Sequence, residues 1–191
     1  MIARFLLLSM LCFLSNITYA QKYYGANGGI NFSNLHGSGT QAASQAKRIN
    51  VGVFYGSPMG TSNYFQTECR YSSKGFTAKE NGVKADYFLN YLEGAFIFRQ
   101  DLFWKKHSYA LAGTSVSFLL SDKVEVSSDG FSGTFDLRDL SPIDVNLIGG
   151  IGISGKDMLL ELRYNYGIVE INEGGTYKNQ AITLMVGFFV K

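Results

Sequence analysis

Cysteine is almost missing from this chain: there are two in 191 residues, Cys12 and Cys69. Cys12 falls inside an N-terminal apolar run, so Cys69 stands alone in the remainder. That excludes a disulfide framework, a Cys-rich zinc site and CxxC redox chemistry. Histidine is as scarce, with only His36 and His107, and proline occurs only at Pro58 and Pro142. Beyond residue 20 no apolar run approaches the roughly 20 residues that a spanning helix needs. An excess of one charge is missing too: 17 Lys and Arg stand against 15 Asp and Glu, a formal net charge of +2. Without Arg4 in the first twenty residues the balance is nearer still to neutral. A nucleic-acid partner and a strongly steering field are therefore excluded.

The first twenty residues, MIARFLLLSMLCFLSNITYA, place one cation, Arg4, before the apolar run Phe5–Leu14, and close on Thr18-Tyr19-Ala20. This is the pattern of a secretory signal peptide with small residues before the cleavage point. Cleavage is expected after Ala20, which leaves residues 21–191 as a single exported domain. Leu11, before Cys12, is too large for a lipid-attachment site. What the chain has in plenty is aromatic residues and glycine: 15 Phe, 12 Tyr and 22 Gly, at a mean hydropathy of +0.03. An exported chain rich in both, with no spanning helix, fits a barrel in an outer membrane.

Period-two alternation recurs along the exported part and predicts eight strands. They cover about Tyr24–Ser33, Ile49–Tyr55, Phe65–Ser72, Asp86–Arg99, Ser108–Leu120, Ile143–Ser154, Met158–Gly167 and Ile182–Val190. The seventh is the clearest: Met158, Leu160, Leu162, Tyr164 and Tyr166 alternate with Leu159, Glu161, Arg163, Asn165 and Gly167. The connections alternate as well. Asn34–Lys47, Ser73–Ala85, Ser121–Pro142 and Ile168–Lys178 read as long loops. Ser57-Pro58-Met59-Gly60, Gln100–His107 and Gly155-Lys156-Asp157 read as short turns. Within Ser121–Pro142, Ser128-Asp129-Gly130 is placed to turn a small hairpin between Val124 and Phe135. Short turns on the periplasmic side and long loops outside are the habit of meandering outer-membrane barrels.

The charges give the faces a direction. Glu68, Arg70, Glu93, Arg99, Asp144, Glu161 and Arg163 all lie on the less apolar face of their strands. The opposite face carries Tyr24, Tyr55, Phe65, Tyr71, Phe96, Phe98, Phe118, Tyr164 and Phe188. An eight-stranded barrel has an interior only just wide enough for side chains, too narrow for that aromatic volume. The expectation is an all-β, eight-stranded, antiparallel, up-and-down transmembrane β-barrel, with apolar residues toward lipid. The seven charged residues then form a network inside the lumen. The opposite assignment is a soluble, lipocalin-like barrel.

Other motifs carry less. Gly150-Ile151-Gly152-Ile153-Ser154-Gly155 matches GxGxxG, but a strand follows where a dinucleotide site needs a helix. His107-Ser108 invites comparison with lipid-modifying barrels, yet it falls at a periplasmic turn with no acid to orient it. The acids Asp122, Glu125, Asp129, Asp136 and Asp139 of the Ser121–Pro142 loop read as solvated charge. No catalytic, metal or cofactor site is expected.

Several segments resemble the outer-membrane β-barrel family of the Bacteroidetes known as PorT-like or porin-family proteins. They are GANGGINFSNL (Gly25–Leu35), FQTECRYSSKG (Phe65–Gly75), NYLEGAFIF (Asn90–Phe98), YALAGTSVSFLLS (Tyr109–Ser121), LELRYNYGI (Leu160–Ile168) and AITLMVGFF (Ala181–Phe189). The chain departs from that pattern at Gly94-Ala95 and in ending Phe189-Val190-Lys191. The resemblance implies an outer-membrane location in a Gram-negative cell, lipid contact, and a secretion or envelope-assembly partner. Together these give the expectation of a monomeric, non-enzymatic barrel plugged by charge pairs, with loops presented outside. The alternatives are a small pore or ligand-binding barrel and a lipid-modifying enzyme.

Overall fold

Side chains that alternate every residue put two different surfaces on one strand. The computed structural model describes residues 22–37, 43–80, 82–102, 107–128, 131–135, 140–171 and 177–190. They form ten antiparallel strands: β1 (Tyr23–His36), β2 (Ala43–Pro58), β3 (Asn63–Lys74), β4 (Phe76–Glu80), β5 (Val83–Asp101), β6 (Ser108–Ser128), β7 (Phe131–Phe135), β8 (Ile143–Ser154), β9 (Met158–Gly167) and β10 (Lys178–Val190). Eight of them close a ring in the order β1-β2-β3-β5-β6-β8-β9-β10. β10 returns to β1, in register from Tyr24↔Val190 to His36↔Lys178. Closure satisfies the backbone groups that an open sheet would leave at its edges.

The two strands outside the ring correct the expected loops. Ser73–Ala85 is not a loop: β3 runs through Lys74, turns at Gly75, and continues as β4, which pairs with both β2 and β5. Gly75 has a φ of +139°, and a Cβ there would meet the Tyr87 carbonyl oxygen at 2.0 Å, so only glycine fits the bend. Ser121–Pro142 is not wholly a loop either. β6 runs 21 residues to Ser128, and β7 pairs with its far end from Val124↔Phe135 to Ser128↔Phe131. The hairpin expected there is present, although Asp129, Gly130, Asp136, Arg138 and Asp139 lie outside the described residues, as do residues 1–20, where a signal peptide is expected. Among the described residues, Lys79, Lys84, Asp122, Lys123 and Glu125 of these segments are carried on strands that extend past the apolar belt.

The apolar face points outward throughout. Ile49, Val51 and Val53 on β2, and Ile151 and Ile153 on β8, are each more than half exposed. Met158, Leu160, Leu162, Tyr164 and Tyr166 of β9 are exposed, while Leu159, Glu161, Arg163 and Asn165 are buried. The exposed belt runs around all eight ring strands, far beyond the few hundred Å² of apolar patch a soluble monomer tolerates. The middle of the interior is polar and charged, which is the inverse of a lipocalin-like barrel.

Candidate functional site

Among the described residues, eight charged side chains are buried in the lumen: the acids Glu68, Glu93, Asp144 and Glu161, and the bases Arg70, Lys74, Arg99 and Arg163. The seven expected from sequence are all inside, and Lys74 is the eighth. Its inclusion makes the numbers of acids and bases equal. Lys74 was missed because the Lys-Gly pair reads as a loop opening. The signal was nevertheless in the pattern, since Gln66, Glu68, Arg70, Ser72 and Lys74 continue one face of β3 without a break.

Seven of the eight form one connected ladder. Lys74 Nζ lies 3.0 Å from Asp144 Oδ2 and 3.3 Å from Glu93 Oε2. Arg70 Nη2 donates to Glu93 Oε1, and Arg70 Nη1 lies 3.2 Å from Glu68 Oε2. Arg163 donates to Glu68 with both terminal nitrogens, at 2.9 Å and 2.6 Å, and its Nε donates to Glu161 Oε2 at 2.7 Å. Tyr109 Oη donates to Glu161 Oε1 at 2.6 Å and closes the run. Bidentate guanidinium–carboxylate bonds fix direction as well as charge. Removing one partner from such a buried set leaves an uncompensated charge, at about 3–5 kcal/mol.

Arg99 departs from the expected pairing, having no acid within ion-pair distance among the described residues. Its Nη1 donates to Tyr23 Oη and Gln66 Oε1, both at 3.0 Å, and its guanidinium sits 3.7 Å over the Tyr109 ring. It lies toward the short-turn end of β5, where the lumen is lined by rings rather than carboxylates. Tyr23 meets Phe54, Tyr64 and Phe189 with centroids 6.1, 6.0 and 5.7 Å apart. The wall beside them is apolar, with Ala95, Ile97, Tyr109, Leu111 and Ile148 packed as one cluster. Gly152 makes room for this, because a Cβ there would meet the Tyr109 ring at 2.4 Å. Gly150 and Gly152 of the GxGxxG match are therefore packing positions on β8, and Gly155 lies in the turn after it.

Beside the ladder a neutral network centres on Asn31. Its Nδ2 donates to Ser73 O at 2.8 Å, and its Oδ1 accepts from Asn50 Nδ2 and Thr183 Oγ1, both at 2.9 Å. The long-loop end is covered by Leu35, Leu89, Tyr91 and Ile171, with Phe76, Leu119, Leu140 and Tyr177 packed against them. The lumen is thus layered: an apolar cover, an ion-pair ladder flanked by neutral amides, and an aromatic floor. Sequence reasoning found the charges but neither cover nor floor, since apolar residues on a lumen face look like ordinary breaks in alternation.

The histidines do not meet. His36 stacks on Tyr166 at 4.4 Å near the long-loop end, while His107, exposed, sits at the β6 start beside Ser154. Among the described residues, no three His, Cys, Asp or Glu side chains gather as a metal-binding group.

The model of the family described as outer membrane protein beta-barrel domain matches residues 19–173. No curated protein matches the chain by sequence. Among solved structures, Ail, the attachment invasion locus protein of Yersinia pestis, is 14% identical with a TM-score of 0.52, over 89% of this chain and 99% of that one. Neisserial surface protein A is 14% identical with a TM-score of 0.51, over 87% and 96% of the two chains. At this identity the likeness is one of fold.

Proposed function

The chain belongs to the outer membrane protein beta-barrel domain family, and on that footing we propose that it is a non-enzymatic, monomeric outer-membrane anchor with a sealed lumen and an interaction surface outside the cell. The observation that carries this reading is the layering of the lumen between Tyr23, Phe54 and Phe189 at one end and Leu35, Leu89 and Ile171 at the other. Between them, each described carboxylate is bonded or ion-paired to a base.

The asymmetry of the ends supports the rest. A tilted strand crosses the hydrocarbon in about 9–11 residues, yet β5 has 19 and β6 has 21. The surplus, with β4 and β7, lies wholly at the long-loop end, which we take as the outer face. Phe131 and Phe135 of β7 are about half exposed there. The same reading places residues 1–20 as a cleaved signal. It also takes the Bacteroidetes PorT-like relationship, with a secretion or envelope-assembly protein as partner, as its finer form.

The test is planar-bilayer recording on the refolded barrel. A sealed lumen gives no discrete current steps. Regular steps overturn the sealed reading in favour of a small pore.

A further inference from the structure

We propose that the outward face of β9, β10 and β1, at the long-loop rim of the apolar belt, binds the phosphate of an anionic lipid headgroup. Lys178 supplies the charge, and the Asn34 amide and Tyr166 hydroxyl supply further donors. The inference goes beyond the anchor reading and rests on its placement of the apolar belt in lipid.

Register brings these groups together. His36 stands opposite Lys178, and Asn34 stands opposite Gln180, which on its other side stands opposite Tyr166. Directly opposed residues hold their Cβ atoms about 4.5–5.5 Å apart. Alternation turns all five outward, since Leu35, Asn165, Asn179 and Ala181 between them are buried. His36 reaches across β10 to β9. Its ring stacks on Tyr166 at 4.4 Å, and its Nε2 donates to the Gly167 carbonyl oxygen at 3.2 Å. The stacked pair makes a wall beside Lys178.

The bonds inside the patch occupy acceptors and leave donors. Asn34 Oδ1 accepts from Leu35 N at 2.8 Å, and Gln180 Oε1 accepts from Tyr164 Oη at 3.2 Å. Asn34 Nδ2, Tyr166 Oη and Lys178 Nζ donate to no group among the described residues. Charge points the same way. β1, β2 and β10 contain no acid, and the one acid of β9, Glu161, is buried in the lumen. Glu170, beyond the end of β9, is exposed and forms no ion pair with Lys178. Lys47, exposed on β2 opposite Phe32, adds a second base on this side. The acids Asp86, Asp122 and Glu125 lie on β5 and β6, across the ring.

Height selects a lipid over a soluble anion. β9 has 10 residues, about the length that crosses the hydrocarbon. Tyr166 therefore falls at the outer boundary, the headgroup level where tyrosines anchor. One step below it on the same face, Leu162 and Ile182 are nearly half exposed. A lipid lying there sets its chains on these residues and its phosphate beside Lys178. Water would satisfy the donors but not the charge.

The full barrel, refolded in an uncharged detergent, is titrated with dioleoylphosphatidic acid or with dioleoylglycerol, which has the same chains and no phosphate. Bound lipid is counted by native mass spectrometry. Wild type is expected to prefer the phosphatidic acid. Lys178→Gln should weaken its binding about fivefold, which corresponds to about 1 kcal/mol for one base near a lipid surface. Tyr166→Phe, which keeps the stack and removes one donor, should weaken it less, and Lys123→Gln on β6 should leave it unchanged. Equal binding of the two lipids overturns the proposal, and so does wild-type affinity in Lys178→Gln. A loss in Lys123→Gln as large as in Lys178→Gln marks diffuse attraction and overturns the site. Release of the lipid by inorganic phosphate at equal concentration overturns the lipid assignment. The assay reads headgroup binding and not conductance, so its failure leaves the sealed-lumen reading standing, and current steps in a bilayer leave this one standing.

Discussion

Arg163 on β9 grips Glu68 on β3 across the lumen with two parallel hydrogen bonds, at 2.9 Å and 2.6 Å. The two strands are not neighbours in the ring, so this contact ties opposite walls together. Arg163 also bonds Glu161 on its own strand, and both partners are fully enclosed.

Replacing Arg163 by Leu strands two carboxylates in a closed interior. The expected loss is about 3–5 kcal/mol, seen as a lower urea midpoint and a lower temperature for loss of the compact band. Arg163→Lys keeps the charge but not the two-pronged geometry, and should fall between wild type and Arg163→Leu. An unchanged midpoint in Arg163→Leu contradicts the bracing role.

Lys74 gives a sharper comparison because its neighbour on β4, Lys79, is solvent-exposed. Lys74→Met removes the base shared by Asp144 and Glu93 and should destabilise to a similar degree as Arg163→Leu. Lys79→Met should stay within about 0.5 kcal/mol of wild type, as surface changes usually do. The same urea series measures both.

Two glycines on ring strands separate packing from propensity. At Gly113 a Cβ would meet the Phe96 carbonyl oxygen at 2.2 Å and Ile97 Cα at 2.9 Å, while at Gly94 it meets nothing within 4 Å. Gly113→Ala must move backbone and is expected to lose about 1–3 kcal/mol. Gly94→Ala points outward into open space and should be neutral or mildly stabilising, since alanine has less freedom to lose.

Asp86 supplies a pH dependence outside the apolar belt. Partial burial works to raise its carboxyl, but hydrogen bonds from Lys84 and Thr77, with the charges of Lys84 and Arg48, outweigh it and hold the group below its ordinary range. A carboxyl lowered in the folded state stabilises above its unfolded value, about 3.9, and that contribution fades as pH falls through the folded value. The difference in urea midpoint between wild type and Asp86→Asn should be present at pH 6 and close below pH 4. A difference that persists unchanged to pH 2.5 assigns it to something other than the carboxylate charge.

Alternation along each strand is a local property, and it was legible without any structure. Which residues face out, that the charged ones face in, and that eight strands close one barrel all follow from side chains pointing to opposite faces at every step. Partners across the lumen are not local. Stagger between strands decides that Arg163 reaches Glu68, that Arg99 finds tyrosines instead of an acid, and that His36 crosses β10 to stack on Tyr166. The bend at Gly75 decides that Lys74 belongs to the lumen. The sequence by itself determined the faces and the architecture, because a two-residue period is written in the order of residues. Only the tertiary structure decided the pairings, the apolar cover and floor, and the donors gathered at the rim beside Lys178, because those depend on how far each strand slides past the next.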